Sequence, residues 1–241
     1  MSGGGAFVVT PLSRSGKLPD VYPLVRGHTA AVLDTAWSPF DDHLIASGGE
    51  DSRVQLTRID DAALEAAYAE GAQVEDIKPL PTNLTHNGRK VGHVVWHPTA
   101  QNILASASAD IKLWDIEKQT AGIELIAHPD MVQSLAFNST GSLLVTTCKD
   151  KKLRLFDVRA SNSPVSIAES HSGVKGSRVC WLGSLDKIVT TGFSKMSDRQ
   201  IFLWDAGRLD KPVKQITVDT SSGTLMPFWS DNGILFVAGK G

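Results

Sequence analysis

A polar set recurs along this chain on a background of alternating apolar segments. Each copy is built from a histidine, a small hydroxyl residue, an aspartate in the following turn and an aromatic near the end of the next segment. The first copy carries His28, Ser47 and Asp51, and the second Ser106, Asp110 and Trp114. The third carries His128, Thr146, Asp150 and Phe156, and the fourth His171, Thr190, Asp198 and Trp204. A chain that repeats a buried polar set must repeat the supersecondary unit that buries it, so most single-core folds are set aside at once.

One landmark strand marks each unit: "VLDTAW" to Trp37, "VGHVVW" to Trp96, "VQSLAF" to Phe137, "SRVCW" to Trp181 and "GTLMPFW" with Phe228. The spacings are 59, 41, 44 and 47 residues. Periods of roughly 40–45 residues are those of four-stranded propeller blades. Between the landmarks, "HLIASGG", "NILASAS" and "SLLVTTC" read as continuous apolar strands covered on both faces. Turn chemistry follows each of them. The expectation is an all-β WD-repeat propeller over residues 1–241. It is read as incomplete, with about four full blades and two partial ones, because partner strands are missing at both ends. The long first spacing comes from residues 60–79, an Ala-rich stretch with six acids and no base between Asp60 and Asp76. It reads as a surface insertion between blades, a loop or a helical turn.

Composition narrows function. A net charge of −2 gives no global field toward nucleic acid or a membrane surface. No apolar run reaches the ~18 residues of a spanning helix, so no membrane insertion is expected. Cys148 and Cys180 lack CxxC spacing, which argues against a disulfide framework and against zinc. His93 and His97 are four apart, but a strand would hold their side chains about 13 Å apart, too far for one metal. There is no phosphate loop and no dinucleotide fingerprint. No metal, cofactor or catalytic residue is therefore assigned.

Serine, histidine and aspartate together invite a hydrolase reading. Catalysis needs one constellation, whereas this set recurs blade by blade. It reads as a structural network in which a turn aspartate holds the histidine, the histidine reaches the hydroxyl, and the hydroxyl reaches the indole. In this scheme Asp150 is the acceptor for His128, and Lys151 is an exposed turn residue. Two copies depart from the pattern. Six places after Asp51 stands Thr57, so the first aromatic is missing. Asp110 to Trp114 is four places instead of six, and no Gly-His pair precedes the second copy, where His86 or Asn87 stands in. The second blade is expected to be the least regular.

The stretches "GGGAFVVTPLSRSGKLPD", "LVRGHTAAVLDTAWSPFDDHLIASGGEDS", "RKVGHVVWHPTAQNILASAS", "KDKKLRLFDVR", "TTGFSKMSDRQIFLWD" and "SSGTLMPF" together resemble coronin, the WD-repeat actin-binding family, in its fungal branch. The inserted turn in "TTGFSKMSDRQ" is the most discriminating. The resemblance implies a seven-bladed propeller that binds filamentous actin, in the cytoplasm and at cortical actin patches. Other cytoskeletal proteins are implied as further partners. The family's C-terminal coiled coil, which oligomerises it, has no counterpart among these residues, so that activity is expected to be absent.

Local charge points the same way. "KDKKLRLFDVR" holds Lys149, Lys151, Lys152 and Arg154; Arg89 and Lys90 precede the second landmark; Lys195 and Arg199 lie in the inserted turn. A basic ridge of this kind would steer association with an acidic filament. The alternative is a general WD-repeat scaffold whose actin binding has been lost by truncation.

Overall fold

The computed structural model describes residues 4–14, 16–69 and 71–240. Among them are four four-stranded antiparallel sheets and two two-stranded ones, as expected for four full blades and two partial ones. β1 (Ala6–Val8) pairs with β2 (Leu24–Arg26). The first full blade is β3 (Val32–Trp37), β4 (Leu44–Gly49), β5 (Arg53–Arg58) and, after a helix α1 (Asp61–Ala67), β6 (Leu84–Thr85). The second is β7 (His93–Trp96), β8 (Ile103–Ala107), β9 (Ile111–Asp115) and β10 (Thr120–Leu125). The third is β11 (Val132–Phe137), β12 (Leu143–Cys148), β13 (Lys152–Asp157) and β14 (Ser166–Glu169). The fourth is β15 (Arg178–Trp181), β16 (Lys187–Phe193), β17 (Arg199–Asp205) and β18 (Lys214–Asp219). A last hairpin joins β19 (Met226–Trp229) to β20 (Leu235–Ala238).

Each apolar run is the second strand of its sheet, and β4 is buried at all six positions. An interior strand is covered on both faces by its neighbours' packing, which is why it carries no polar alternation. The expected shortening of the second blade is real but falls elsewhere than the turn. Three residues join β8 to β9, as three join β12 to β13, while each of the two strands is five residues long instead of six.

Two compact units divide the chain. One comprises residues 1–96, 104–108 and 114–120, and the other 97–103, 109–113 and 121–241. In the first, Phe7, Val9, Val25, Val32, Ile45, Ile59, Leu64 and Tyr68 form one core cluster. Two of these, Leu64 and Tyr68, come from the insertion. Asp60 caps α1 by accepting from the Ala63 amide at 3.1 Å, and the Tyr68 hydroxyl donates to the Val9 carbonyl at 2.9 Å. The insertion is thus packed through these apolar side chains, not wholly solvated. In the second unit Val145, Leu153, Leu155, Val179, Trp181, Ile188, Phe202 and Trp204 share a cluster.

Within each unit the landmark tryptophan joins one blade to the next. Trp96 Nε1 donates to the Ala36 carbonyl at 2.9 Å, and Trp181 Nε1 to the Ala136 carbonyl at 3.0 Å. Both carbonyls belong to the residue preceding the previous landmark. The matching strand end in β19 is Trp229, opposite Leu235, and not Phe228, whose side chain faces out.

Candidate functional site

The repeated polar set is hydrogen-bonded at the heart of every full blade, with instructive differences. In the first, His28 Nδ1 meets Asp51 Oδ1 at 2.9 Å and His28 Nε2 meets Ser47 Oγ at 2.8 Å. Asp51 also accepts from the amides of Thr29 and Arg53. Burial works against its charge, but the His28 contact and these amides outweigh it and hold the carboxyl below the usual range. The array has the connectivity of a catalytic triad. Ser47, however, sits mid-strand at 1% exposure, with Gln55 opposite it across the ladder, so no substrate carbonyl can reach its oxygen. Thr57, where the aromatic is missing, is likewise buried.

In the second blade His86, not Asn87, completes the set. His86 Nε2 lies 2.7 Å from Ser106 Oγ, which also accepts from Trp114 Nε1 at 2.7 Å. Asp110 is half-buried in the turn between β8 and β9.

The third blade corrects an expectation. His128 Nε2 contacts Thr146 Oγ1 at 2.9 Å, but His128 Nδ1 has no partner, and Asp150 does not hold it. Arg154 takes the carboxylate with both terminal nitrogens, at 3.1 and 2.5 Å. The reason is register: Arg154 stands opposite Thr146, where the first blade has Gln55 opposite Ser47, and its fork fits the carboxylate better than a single imidazole nitrogen does. Burial, helped by the Arg154 charge, pushes the His128 pKa down to about 4. Phe156 is fully buried and tilts against His128, with ring centroids 5.5 Å apart.

The fourth blade corrects a second. His171 Nε2 meets Thr190 Oγ1 at 3.0 Å, and Trp204 Nε1 donates to the same oxygen at 2.9 Å. Asp198 takes no part. The residue four places after Thr190 is Ser194, and the longer turn binds Asp198 to itself, with Ser194 Oγ donating to Asp198 Oδ2 at 2.6 Å. The position of Arg154 is filled here by Phe202, opposite Thr190, which stacks on His171 at 4.0 Å. His171 is pushed down to about 4, chiefly by burial.

The basic residues separate into two classes. Arg154 is 5% exposed, and Arg199 is 6% exposed and paired through two nitrogens with Asp219. Neither presents its charge to a partner. Arg199 Nη1 also donates to the carbonyls of Gly223 and Lys240, tying the fourth blade to the last hairpin. Lys151 is not a free turn residue either: its backbone is left-handed, with φ 69°, and its Nζ donates to the Ser172 carbonyl at 2.8 Å. Lys149 and Lys195 are exposed and Lys152 half-exposed, all in the second unit. Arg89 and Lys90 are exposed in the first. Lys149, Lys152 and Lys90 make only loose ion pairs, at 3.9, 3.6 and 3.9 Å, with Asp130, Glu169 and Glu50.

The buried Arg154–Asp150 pair escaped sequence reasoning. Its signal is an arginine flanked by leucines in "KLRLF", a charge in the middle of a strand buried on both faces. His97 was also missed as a structural residue. It is buried, its Nδ1 accepts from the amides of Thr99 and Ala100, and its Nε2 meets the Gly141 carbonyl at 3.1 Å. Among the described residues no group of three or more His, Cys, Asp or Glu is placed to hold a metal.

The "WD domain, G-beta repeat" family matches residues 21–57, 77–115 and 120–157. Coronin-like protein crn1 of Schizosaccharomyces pombe is 51% identical over 99% of this chain and 39% of its own length. The coronin-like protein of Saccharomyces cerevisiae is 49% identical over 100% of the chain and 37% of its own. Human coronin-2A is 41% identical over 100% and 45%. The WD40 domain of Toxoplasma gondii coronin superposes with a TM-score of 0.79 at 30% identity, over 91% of this chain and 55% of that one. The chain thus spans about two fifths of the length of these curated relatives. With four blade sheets built on the same histidine–hydroxyl core, and this likeness running from end to end, the chain belongs to the coronin family and supplies part of its WD-repeat propeller.

Proposed function

We propose that this chain is an actin-filament-binding WD-repeat module of a coronin-type cytoskeletal regulator. It acts in the cytoplasm at cortical actin and performs no catalysis. The observation that carries the reading is the identity to coronin-like proteins over essentially the whole chain. The exposed cations support it. Lys149, Lys152 and Lys195, with Lys151 beside them in sequence, are the contacts proposed in the second unit, and Arg89 and Lys90 those in the first. Loose surface pairs are worth little, so a strongly acidic partner displaces them at small cost. The burial of Ser47 and its counterparts supports the non-catalytic reading.

Co-sedimentation with actin filaments tests the proposal. Binding that weakens as salt rises is expected, because exposed charges are screened over about 8–10 Å at physiological ionic strength. A folded chain that stays in the supernatant at low salt would leave the general scaffold reading in its place.

A further inference from the structure

The two two-stranded sheets are half-blades of opposite kind. β2 leads into β3 through His28, as β14 leads into β15 through His171, so β2 is the fourth strand of a blade and β1 the third. β19 packs on β15, as β15 packs on β11 and β7 on β3, so β19 is a first strand and β20 a second. Each sheet has one open edge among the described residues. Ile77 closes the far side of β2: its carbonyl accepts from the Arg26 amide at 3.0 Å, and its amide donates to the Leu24 carbonyl at 2.8 Å. Alternation then turns the amides and carbonyls of Ala6 and Val8 to the open edge of β1. In the other hairpin the Ser230 amide donates to the Ile234 carbonyl, so Leu235 and Val237 face the open edge of β20. Two neighbouring apolar groups are uncovered as well. Trp96 and Trp181 each reach the carbonyl that precedes the previous landmark, but the Trp37 indole makes no hydrogen bond among the described residues and is 50% exposed. Ile216 holds the place in the fourth blade that Ala168 holds in the third, where the next blade buries it, yet Ile216 is exposed.

We infer that β1–β2 of one copy of this chain completes the blade begun by β19–β20 of a second copy. The third blade sets the register. There Lys152 stands opposite Glu169, two places before His171, and Arg154 stands opposite Thr146. Ala6 stands opposite Arg26, two places before His28, so Val8 takes the place of Arg154. Leu235 lies opposite Trp229 as Leu144 lies opposite Phe137, so Val237 takes the place of Thr146. Val8 therefore pairs with Val237, and both present their backbone groups to the shared edge. The joint continues the blade-to-blade contact already made within the chain: Trp37 Nε1 of the copy that gives β1–β2 reaches the Phe228 carbonyl of the other, as Trp96 reaches that of Ala36. The two surfaces are different, so the contact is heterologous and copies add in series. This association goes beyond filament binding and does not depend on it.

The test is oxidative cross-linking of two single variants, Val8→Cys and Val237→Cys. Residues directly paired with exchanged backbone bonds lie about 5.5 Å apart at Cα, within the reach of a disulfide. Mixing the variants is expected to give a linked dimer holding one chain of each. Either variant alone, like the parent with Cys148 and Cys180, should run as a monomer on a non-reducing gel. Leu185→Cys, exposed in the turn before β16, should not link to Val8→Cys. Absence of the mixed dimer, or linking of identical variants as strong as that of the mixture, would overturn the joint. So would a Val8→Cys/Val237→Cys double variant that closes on itself and runs as a monomer. Trp37→Phe keeps a ring and removes the donor. With a melting temperature near the parent's, it should weaken self-association in sedimentation velocity by about fivefold, the worth of one hydrogen bond. Unchanged self-association of that folded variant would also overturn the proposal.

Discussion

Replacing Asp150 by alanine removes the counter-charge of a guanidinium that is 5% exposed and bonded through both terminal nitrogens. Arg154 Nε already lacks a partner, so the variant leaves a buried cation without its carboxylate. Breaking such a pair from one side costs about 3–5 kcal/mol. For a chain of this size that is a fall in thermal midpoint of roughly 6–20 °C. The fourth blade shows how the same site does without the pair. It has Ser194 where Asp150 stands and Phe202 where Arg154 stands, and Phe202 stacks on His171. Asp150→Ser/Arg154→Phe should therefore give the third blade the fourth blade's packing. Buried pairs are often replaceable by apolar groups at little cost, and we expect the double variant within about 1.5 kcal/mol of the parent. The assay is urea unfolding of the parent, the Asp150 and Arg154 single variants and the double. The expected coupling is at least about 2 kcal/mol. An Asp150→Ala cost under about 1 kcal/mol, or a double variant as unstable as that single, would refute the pairing as the organiser of this blade.

Four further outcomes are expected. His128 and His171 stay neutral in the fold, with pKa about 4 against the usual 6.5, so the unfolded chain binds more protons below 6.5; stability should fall between pH 6.5 and 4 by on the order of 2 kcal/mol per histidine at pH 5, and a flat pH profile of unfolding free energy would contradict this. Gly192→Ala should destabilise by about 1–3 kcal/mol, because a Cβ there would lie 2.4 Å from the His171 ring; an unchanged melting temperature would show that the ring can yield. Lys149→Glu/Lys152→Glu/Lys195→Glu should lower filament co-sedimentation while leaving the melting temperature nearly unchanged, whereas Arg154→Glu should unfold the chain instead; unchanged co-sedimentation by the folded triple variant would move the contact to Arg89 and Lys90. Phe228 and Phe236 face each other across β19 and β20 at 55% and 56% exposure, so Phe236→Lys should reduce self-association measured by sedimentation velocity, and an unchanged distribution would acquit this hairpin.

What could be read in the chain beforehand divides along a physical line. The strands and their count were legible because burial on two faces demands apolar runs, and because the histidine–hydroxyl contact needs residues at fixed register: His28 with Ser47, His128 with Thr146, His171 with Thr190. These depend on position within a blade, and position repeats. The acid's partner was not legible, because it depends on one further residue, the one opposite the hydroxyl. That residue is Gln55 in the first blade, Arg154 in the third and Phe202 in the fourth. Gln55 turns to the Gly27 carbonyl and leaves Asp51 to the histidine; Arg154 captures its acid; Phe202 covers the ring, and the acid is gone. A spacing rule that counts forward to the nearest aspartate therefore found Asp198, eight places after Thr190, and passed over Ser194 at the fourth. The same local choice sorts the basic residues. "KDKKLR" reads as one positive run, yet Lys152 stands at the half-exposed end of β13 and Arg154, on the same face two residues on, lies in its buried middle. Charge counted along a sequence thus overstates what a partner meets. In this chain Lys149 and Lys195 stand exposed in turns, while Arg154 and Arg199 are buried within their strands.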